Sequence, residues 1–474
     1  MKTLNHLALA AIKVNLSKHQ STPLYRQLFE QLRELIISGQ ITANELLPAS
    51  RSLAQELGVS RTTILNAYDQ LLTEGYLISR PGAGIYVAPT IASMEAVSPA
   101  PAIKHQPSAP ALYQGFSSGP DTQAFPFPLW ARCLAKSWRH PDNNLLSEYH
   151  PGGYWPLRQQ ICQYLKRMRG LECQPRQVIV TAGHRDALSL ISKLLCQPKD
   201  RVMLENPGYP LASRVIQSLG LNTTYCEVDK SGAQPPAQQR NKQAAKVCIL
   251  TTTRHFPLGF AMTGARRQAW LNYAQQSDSW LVEDDYDSEF IYSGTPPPPL
   301  FNLNHNQHTL FLGTFSKLMF QHFRLGYLVV PESLVALAEA IQMELGAMAS
   351  VHIQPALASF LADRHFSSHM RKMRKLYQHK GNILAHCINQ ELRPWLAAKT
   401  PTGGMHLLAL ANTDLNDLAV EQQAQSYGIY CPALSRYFQH TAKPPQGFLL
   451  GFSGTTIEQI HSNTGILKQI LQSS

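Results

Sequence analysis

Between residues 89 and 112 the chain carries Pro89, Pro99, Pro101, Pro107 and Pro110 among alanines and serines. Such a stretch has too little apolar surface and too few backbone donors to join a core, so it reads as a semi-extended linker. It excludes one continuous fold over the 474 residues and leaves segments 15–88 and 113–474 to fold on either side. Both sides are globular, because 44% of the chain is apolar and only 15% charged, the reverse of a disordered composition. No run of about 18 uncharged apolar residues occurs, so no membrane span is expected. The patch Leu7–Ile12 is too short for a secretory leader. Eight cysteines lie scattered with no C-x-x-C pair. They point to free thiols in a reducing cytoplasm, without a disulfide framework or a metal site.

The 15–88 segment reads as three helices and a hairpin. Ser21-Thr22-Pro23 starts a helix, with Pro near its first position; Leu24, Leu28, Leu32 and Leu35 recur at helical spacing, and Gly39 ends it. Ser50 is placed to cap a second helix with Leu53, Ala54 and Leu57 inward, stopped by Gly58. Ser60 caps a third, whose buried face is Ile64, Tyr68, Leu71 and Leu72. Two short helices joined by Gly58-Val59-Ser60 match a helix-turn-helix, and Leu77–Ser79 and Ile85–Val87 around Pro81-Gly82-Ala83-Gly84 form a wing. In this motif the start of the second helix meets base edges and phosphates in the major groove. That selects Ser60, Arg61, Thr62 and Thr63, with Arg51, Arg80 and the wing tip Gly82 toward flanking phosphates of a double-stranded operator. The alternative is a small bundle whose Arg-Thr-Thr face is merely solvated. The net charge of +11 does not decide, since residues 1–90 hold eight Lys/Arg against six Asp/Glu; geometry must.

Beyond the linker, short apolar runs at Val178–Thr181, Val247–Thr251, Trp280–Glu283 and Leu310–Gly313 alternate with helical patterns. This indicates an α/β domain with a mostly parallel sheet. Two motifs carry chemistry. Gly313-Thr314-Phe315-Ser316-Lys317 is followed seven residues on by Arg324, and Glu283-Asp284-Asp285-Tyr286-Asp287 places Asp284 33 residues before Lys317. Pyridoxal 5'-phosphate needs a lysine to form an imine with its aldehyde. It also needs cations and hydroxyls at its phosphate and a carboxylate at its pyridine nitrogen. Lys317, the Arg324/Thr314/Ser316 set and Asp284 supply these. An acid cluster closing a buried strand lies at the carboxyl edge of the sheet, where α/β folds bind ligands. Singly, a Ser-Lys pair reads as a loop and the acid cluster as a metal site or solvated turn; their co-occurrence is what carries the cofactor reading. Thr181-Ala182-Gly183 ends a strand and opens a helix whose N–H groups can receive a phosphate.

Pro23-Leu24-Tyr25-x-Gln27-Leu28, Leu47-Pro48-x-Ser50-Arg51-x-Leu53-Ala54, Leu57-Gly58-Val59-Ser60-Arg61-x-Thr63 and Gly75-Tyr76-Leu77 resemble the GntR-type winged helix. Glu283–Phe290 and Gly313–Lys317 resemble fold-type I aminotransferases, and the combination resembles the MocR subfamily. The resemblance implies Lys317 as the Schiff-base lysine, Asp284 as the pyridinium partner and Tyr286 on the cofactor's phenolic oxygen. It implies Tyr209, in Glu205-Asn206-Pro207-Gly208-Tyr209, stacked on the ring, and Gly183, His184 and Arg185 at the phosphate. It further implies a smaller C-terminal subdomain, a head-to-tail homodimer with cofactor sites near the interface, and a cytoplasmic regulator sensing pyridoxal phosphate or an amine.

The chain departs from the family at several points. Thr42-Ala43-Asn44 stands in place of a Pro-Gly turn, which should alter a loop and not the DNA face. His184-Arg185 replace small and amide residues, Arg254-His255 replace a His-Gln pair in Thr251–Gly259, and Gln321-His322 replace Pro-Gly. Aminotransferases hold the substrate carboxylate with an arginine near the C-terminus; Gly447–Phe452 has none, and Arg436 is the available substitute. The main reading is therefore a cofactor-binding transcriptional regulator. The alternatives are a working aminotransferase with an accessory DNA-binding domain, and an enzyme-like domain that has lost the cofactor. From Arg364 to Lys380 six Lys/Arg occur without an acid, a helix with a solvated basic face or one turned to a DNA backbone.

Overall fold

The computed structural model describes residues 14–18, 20–89, 115–141, 145–146, 150–237, 244–303, 307–346, 349–439 and 441–473. Nearly all of the proposed linker falls outside the described residues. The chain divides into two compact units, Met1–Ser108 and Ala109–Ser474.

In the first unit, helices α1 (Leu24–Ile37), α2 (Ser50–Leu57) and α3 (Arg61–Thr73) precede strands β1 (Leu77–Arg80) and β2 (Gly84–Val87). Leu28, Leu32, Ile64, Tyr68, Leu71 and Val87 form one buried cluster. Gly58 closes α2 at φ 62°, a left-handed cap that glycine takes without strain. Two details differ from expectation. Pro23 stands at the N-cap of α1, outside its first turn. Ser50 is the first residue of α2 behind Ala49 and does not cap it; its hydroxyl instead accepts from Arg61 Nε at 3.3 Å. The wing pairs antiparallel from Leu77↔Val87 to Arg80↔Gly84, and Leu46 bridges Tyr86 on its other edge.

The second unit is built on an eight-stranded sheet in the order β3-β10-β9-β8-β7-β4-β5-β6. Its strands are β3 Val178–Thr181, β4 Arg201–Asn206, β5 Asn222–Asp229, β6 Gly232–Ala233, β7 Val247–Leu250, β8 Trp280–Asp285, β9 Thr309–Thr314 and β10 Gly326–Val329. Neighbours from β9 to β5 run parallel, while β10 is antiparallel to β3 and β9. Side chains alternate between two cores: Val178, Val180, Phe311, Tyr327 and Val329 on one face, Ile179, Leu310, Leu312 and Leu328 on the other. Burial on both faces is what an unbroken apolar strand pattern predicts. A smaller antiparallel sheet, β11 Leu396–Ala398, β12 His406–Ala411 and β13 Gly447–Gly451, packs with the helices His365–Glu391 and Ile457–Ser473.

The basic stretch forms the first half of the His365–Glu391 helix. Phe366, Met370, Met373 and Tyr377 are buried and Arg371, Lys372 and Lys375 exposed. Arg374 donates to the Glu289 carbonyl, and buried Lys380 is bonded to Asp121 at 2.8 Å, so neither is a free surface charge. Among the described residues no helix is long and apolar enough to cross a membrane.

Candidate cofactor site and DNA-reading face

Strand register assembles the site. Gly326 opens β10 opposite Thr181 on one side and Thr314 on the other, and Asp284 and Asp285 pair with Leu312 and Gly313. Since β10 runs against β3 and β9, the start of one strand meets the ends of two others. A Cβ on Gly326 would sit 2.9 Å from the Gly313 carbonyl and 3.1 Å from Thr181 Oγ1, so only glycine leaves this edge open.

The acid cluster divides by the period-two alternation of β8. Glu283 and Asp285 turn to one side, toward buried Arg267 at 3.6 Å and Arg169 at 2.8 Å. Asp284 turns to the other, where His184 Nε2 lies 2.8 Å from its Oδ2. Tyr209 meets His184 edge-on at 5.7 Å and Phe256 edge-on at 5.7 Å. It remains 43% exposed, so part of the side chain is accessible to a ligand. Tyr286 accepts from Arg254 Nη1 at 3.1 Å, which leaves its own hydroxyl proton free to donate.

Lys317 lies in the turn after β9, its Nζ 3.2 Å from the Ser118 carbonyl. Burial lowers its pKa, and the Asp287 carboxylate opposes that only in part. An amine held toward its neutral form is what attack on an aldehyde requires. Beside it, burial first and then the charges of Arg254 and Lys317 hold His406 well below the usual imidazole range, so it is neutral.

For a phosphate, Gly183 is the N-cap of the His184–Leu195 helix at φ 96°. The N–H groups at the start of that helix have no intrahelical acceptor. Arg324 stands against this turn, its guanidinium carbon 3.8 Å from where a Gly183 Cβ would be. Thr181 Oγ1 is fully buried and has no hydrogen-bond partner among the described residues. Thr314 Oγ1 accepts the Ser316 N–H at 3.1 Å. Arg185 points outward, exposed, and Asp186 takes the Ala182 N–H at 2.7 Å.

Several functional neighbours were not singled out from the sequence. Arg254, noted there only as a departure, is buried and donates to Tyr286, to Asp287 Oδ2 at 3.1 Å and to the His406 carbonyl at 3.0 Å. It passes so close to Gly404 that a Cβ there would lie 2.1 Å from the guanidinium carbon. Asp287 was visible in the acid cluster but had no role assigned; His406 and Arg169 gave no signal beyond their residue type. Arg436 is placed in the turn Ser435–Tyr437 and is bound to Glu421 at 3.0 Å. His255, the second half of the replaced pair, stacks on Phe260 and is buried at 1% exposure.

In the first unit, Ser60 caps α3, accepting the Thr63 N–H at 3.1 Å, and its hydroxyl also meets the Thr63 hydroxyl at 2.9 Å. Thr63 is therefore committed to the cap, whereas Arg51, Arg61 and Thr62 are exposed. Arg80, on the wing, lies over the Tyr86 ring at 4.5 Å and donates to Asn44 Oδ1 at 3.0 Å. Asn44 adopts φ 64°, the left-handed position that a glycine would otherwise fill. The departure at residues 42–44 consequently reaches the wing arginine, contrary to the expectation that it alters only a loop.

Residues 114–442 match the family model "Aminotransferase class I and II" and residues 24–87 match "Bacterial regulatory proteins, gntR family". A "Probable rhizopine catabolism regulatory protein MocR" of Rhizobium meliloti is 32% identical, over 93% of this chain and 92% of its own length. The chain belongs to the MocR subfamily of GntR-type regulators. An "HTH-type pyridoxine biosynthesis transcriptional regulator PdxR" of Corynebacterium glutamicum is 34% identical over 94% of this chain and 95% of its own. A kynurenine aminotransferase of Pyrococcus horikoshii shares the fold, with TM-score 0.67 at 20% identity over 76% of this chain and 91% of its own.

This MocR-type chain is a transcriptional regulator with an aminotransferase-like domain, and its cofactor is pyridoxal 5'-phosphate. The residues present fit that group. An orphaned buried hydroxyl at Thr181, an open helix start at Gly183 and a cation at Arg324 suit a phosphate. A half-buried amine at Lys317, its pKa lowered, suits an aldehyde, and a carboxylate at Asp284 suits a pyridinium.

Proposed function

We propose that the chain is a DNA-bound sensor of pyridoxal phosphate itself, with cofactor occupancy as the signal. One observation carries this reading. The arginine on offer for an amino-acid carboxylate, Arg436, is already paired with Glu421, while the groups suited to the cofactor converge. The name of the Corynebacterium glutamicum relative, a regulator of pyridoxine biosynthesis, agrees with a cofactor-responsive switch.

When bound, the cofactor supplies an aldehyde for covalent attachment and a protonated ring that stabilises negative charge. In our reading the residues divide the work. Lys317 is the attachment amine, depressed in pKa by burial. Asp284, braced by His184, holds the proton on the ring nitrogen. Tyr286, kept a donor by Arg254, bonds the phenolic oxygen. Tyr209 lies against the ring. Gly183, His184, Arg185, Thr181, Thr314, Ser316 and Arg324 surround the phosphate. On DNA, Arg61 and Thr62 meet the major groove and Arg51 and Arg80 the flanking phosphates, with Ser60 and Thr63 shaping the helix start and Gly82 the wing tip. We place the protein in the cytoplasm as a homodimer, with residues 89–112 as the tether between units.

Operator titration at fixed salt, with and without saturating pyridoxal phosphate or candidate amines, tests the proposal. DNA affinity should shift with the cofactor alone. A shift that appears only with an amino acid, together with turnover of that amine, would favour the aminotransferase alternative.

A further inference from the structure

The eight cysteines lie scattered along the chain, but folding brings two of them together. Cys162, in the helix Trp155–Arg169, lies 3.3 Å from Cys173, with the Cys173 thiol donating to the Cys162 sulfur. That is within about 1.3 Å of a bonded sulfur pair. Both line a cleft of about 490 Å³ together with Lys166, Glu172 and Gln174. Cys173 is partly exposed there, so a small solute can reach the pair. The bond from Cys173 holds the Cys162 thiol below its ordinary range; burial opposes this and the nearby Arg158 charge assists. Arg158 stands one helical turn before Cys162, so its charge favours Cys162 as the attacking sulfur and leaves Cys173 to resolve.

What lies between the two gives the pair a consequence. Arg169, at the end of the helix, reaches Asp285 Oδ2 at 2.8 Å and Thr253 Oγ1 at 2.6 Å. Asp285 follows Asp284, and Thr253 precedes Arg254. The chain then turns at Gly170, φ 63°, toward Cys173. A link from residue 162 to residue 173 closes a loop that contains this arginine.

We infer that Cys162 and Cys173 form a redox-modification site, converted by hydrogen peroxide into an internal disulfide that weakens cofactor binding through Arg169. The Cys162 thiolate attacks the peroxide, forming an S–O bond as the O–O bond breaks. The sulfur is oxidised, the peroxide is reduced, and the departing hydroxide leaves as water with a proton from solvent. The Cys173 thiolate then attacks that sulfur, forming the S–S bond as the S–O bond breaks. The second hydroxide leaves as water with the proton Cys173 gave up. The modification itself does not depend on the proposed function, but its effect on the cofactor does.

The test uses the full chain, reduced and then exposed to hydrogen peroxide, with peptide mass mapping and pyridoxal phosphate titration. Oxidation should yield a 162–173 linked peptide lacking two hydrogens and a several-fold loss of cofactor affinity, both reversed by dithiothreitol. Cys173→Ser should instead accumulate a dimedone adduct at Cys162, and its cofactor affinity should not respond to peroxide. Should the variants fail to fold, the wild-type map with and without dithiothreitol still decides. Absence of the linked peptide after peroxide overturns the site. A linked protein with unchanged cofactor affinity overturns the coupling through Arg169. Failure of the reduced protein to bind pyridoxal phosphate would strike the proposed function instead, since the linked peptide is read independently.

Discussion

His184 Nε2 sits 2.8 Å from Asp284 Oδ2, tying the first residue of one helix to the penultimate residue of β8. Burial disfavours charge on the imidazole, but the Asp284 carboxylate more than compensates, so the ring's pKa is raised. The pair thus adds stability below the ordinary imidazole pKa, lost as pH rises through the raised value. One carboxylate oxygen is occupied by the imidazole and the other is left for a ring nitrogen. Asp284→Asn should lower pyridoxal phosphate affinity by roughly tenfold or more, the cost of a charge-assisted hydrogen bond, and change the absorption of the bound cofactor. His184→Asn should have the smaller effect. A spectrum and affinity matching wild type in Asp284→Asn would remove this acid from the site. Asp285 is a poor replacement, being held by Arg169 and by the Ser288 hydroxyl at 2.8 Å.

On the DNA face, Arg61 is exposed at the start of α3 and steadied by the Ser50 hydroxyl. Arg61→Ala should weaken operator binding by roughly 1–3 kcal/mol and, if the contact is to phosphate, reduce the salt slope by about one. Band-shift titrations across a salt series measure both. Unchanged affinity would take Arg61 out of the interface.

Asn44 offers a finer test. Asn44→Gly keeps the left-handed turn but releases Arg80, so DNA affinity should fall less than in Arg80→Ala while Tm stays near wild type. Asn44→Ala should in addition lose about 1 kcal/mol of stability, because a Cβ is unfavourable at that φ. Equal Tm for the Gly and Ala variants would show that the turn is not under this constraint.

The fold and the turn that carries Lys317 were legible because they are local. Turn glycines, helix periodicity and apolar runs need only neighbouring residues, so the helix-turn-helix, the wing and the strand Val178–Thr181 were located from the chain alone. The side of each acid was also available, since alternation along β8 separates Asp284 from Glu283 and Asp285. What escaped depends on long-range register. Arg169 grips Asp285 across more than a hundred residues of chain, and the Cys162–Cys173 approach depends on how the chain turns after a helix cap. Asn44 on Arg80 joins a loop to a wing. None of these leaves a periodic trace.

Glu205 predicts a pH dependence. Burial raises its carboxyl to about 8, against the bond it accepts from the Thr251 N–H at 3.0 Å and with the Asp284 charge adding to the rise. The native state therefore keeps a proton that the unfolded chain releases. This contribution to stability is full below the ordinary carboxyl pKa and is lost as pH rises through about 8. Glu205→Gln cannot titrate, so relative to wild type it should gain on the order of 1–3 kcal/mol between about pH 6 and pH 8.5. Thermal melts of both proteins at the two pH values measure the gap. A gap independent of pH would mean that Glu205 does not carry this proton.

Coupling between the two units is tested at Lys317. Lys317→Ala removes the proposed attachment amine but leaves untouched the residues of the Leu24–Val87 region, which has its own buried cluster. The variant should therefore keep appreciable operator affinity. It should lose covalent attachment, seen as no reducible cofactor after borohydride, and with it most of the response of DNA binding to pyridoxal phosphate. The reason is linkage: a ligand moves the DNA-binding equilibrium only by its differential affinity for the two states. The proposed phosphate contacts at Arg324 and the Gly183 turn do not involve Lys317, so a weak response should persist at high cofactor concentration. Operator titrations of both proteins over a range of cofactor concentrations separate these cases. A variant whose DNA affinity responds as fully as wild type, at the same cofactor concentration, would show that attachment at Lys317 is not what the regulator senses.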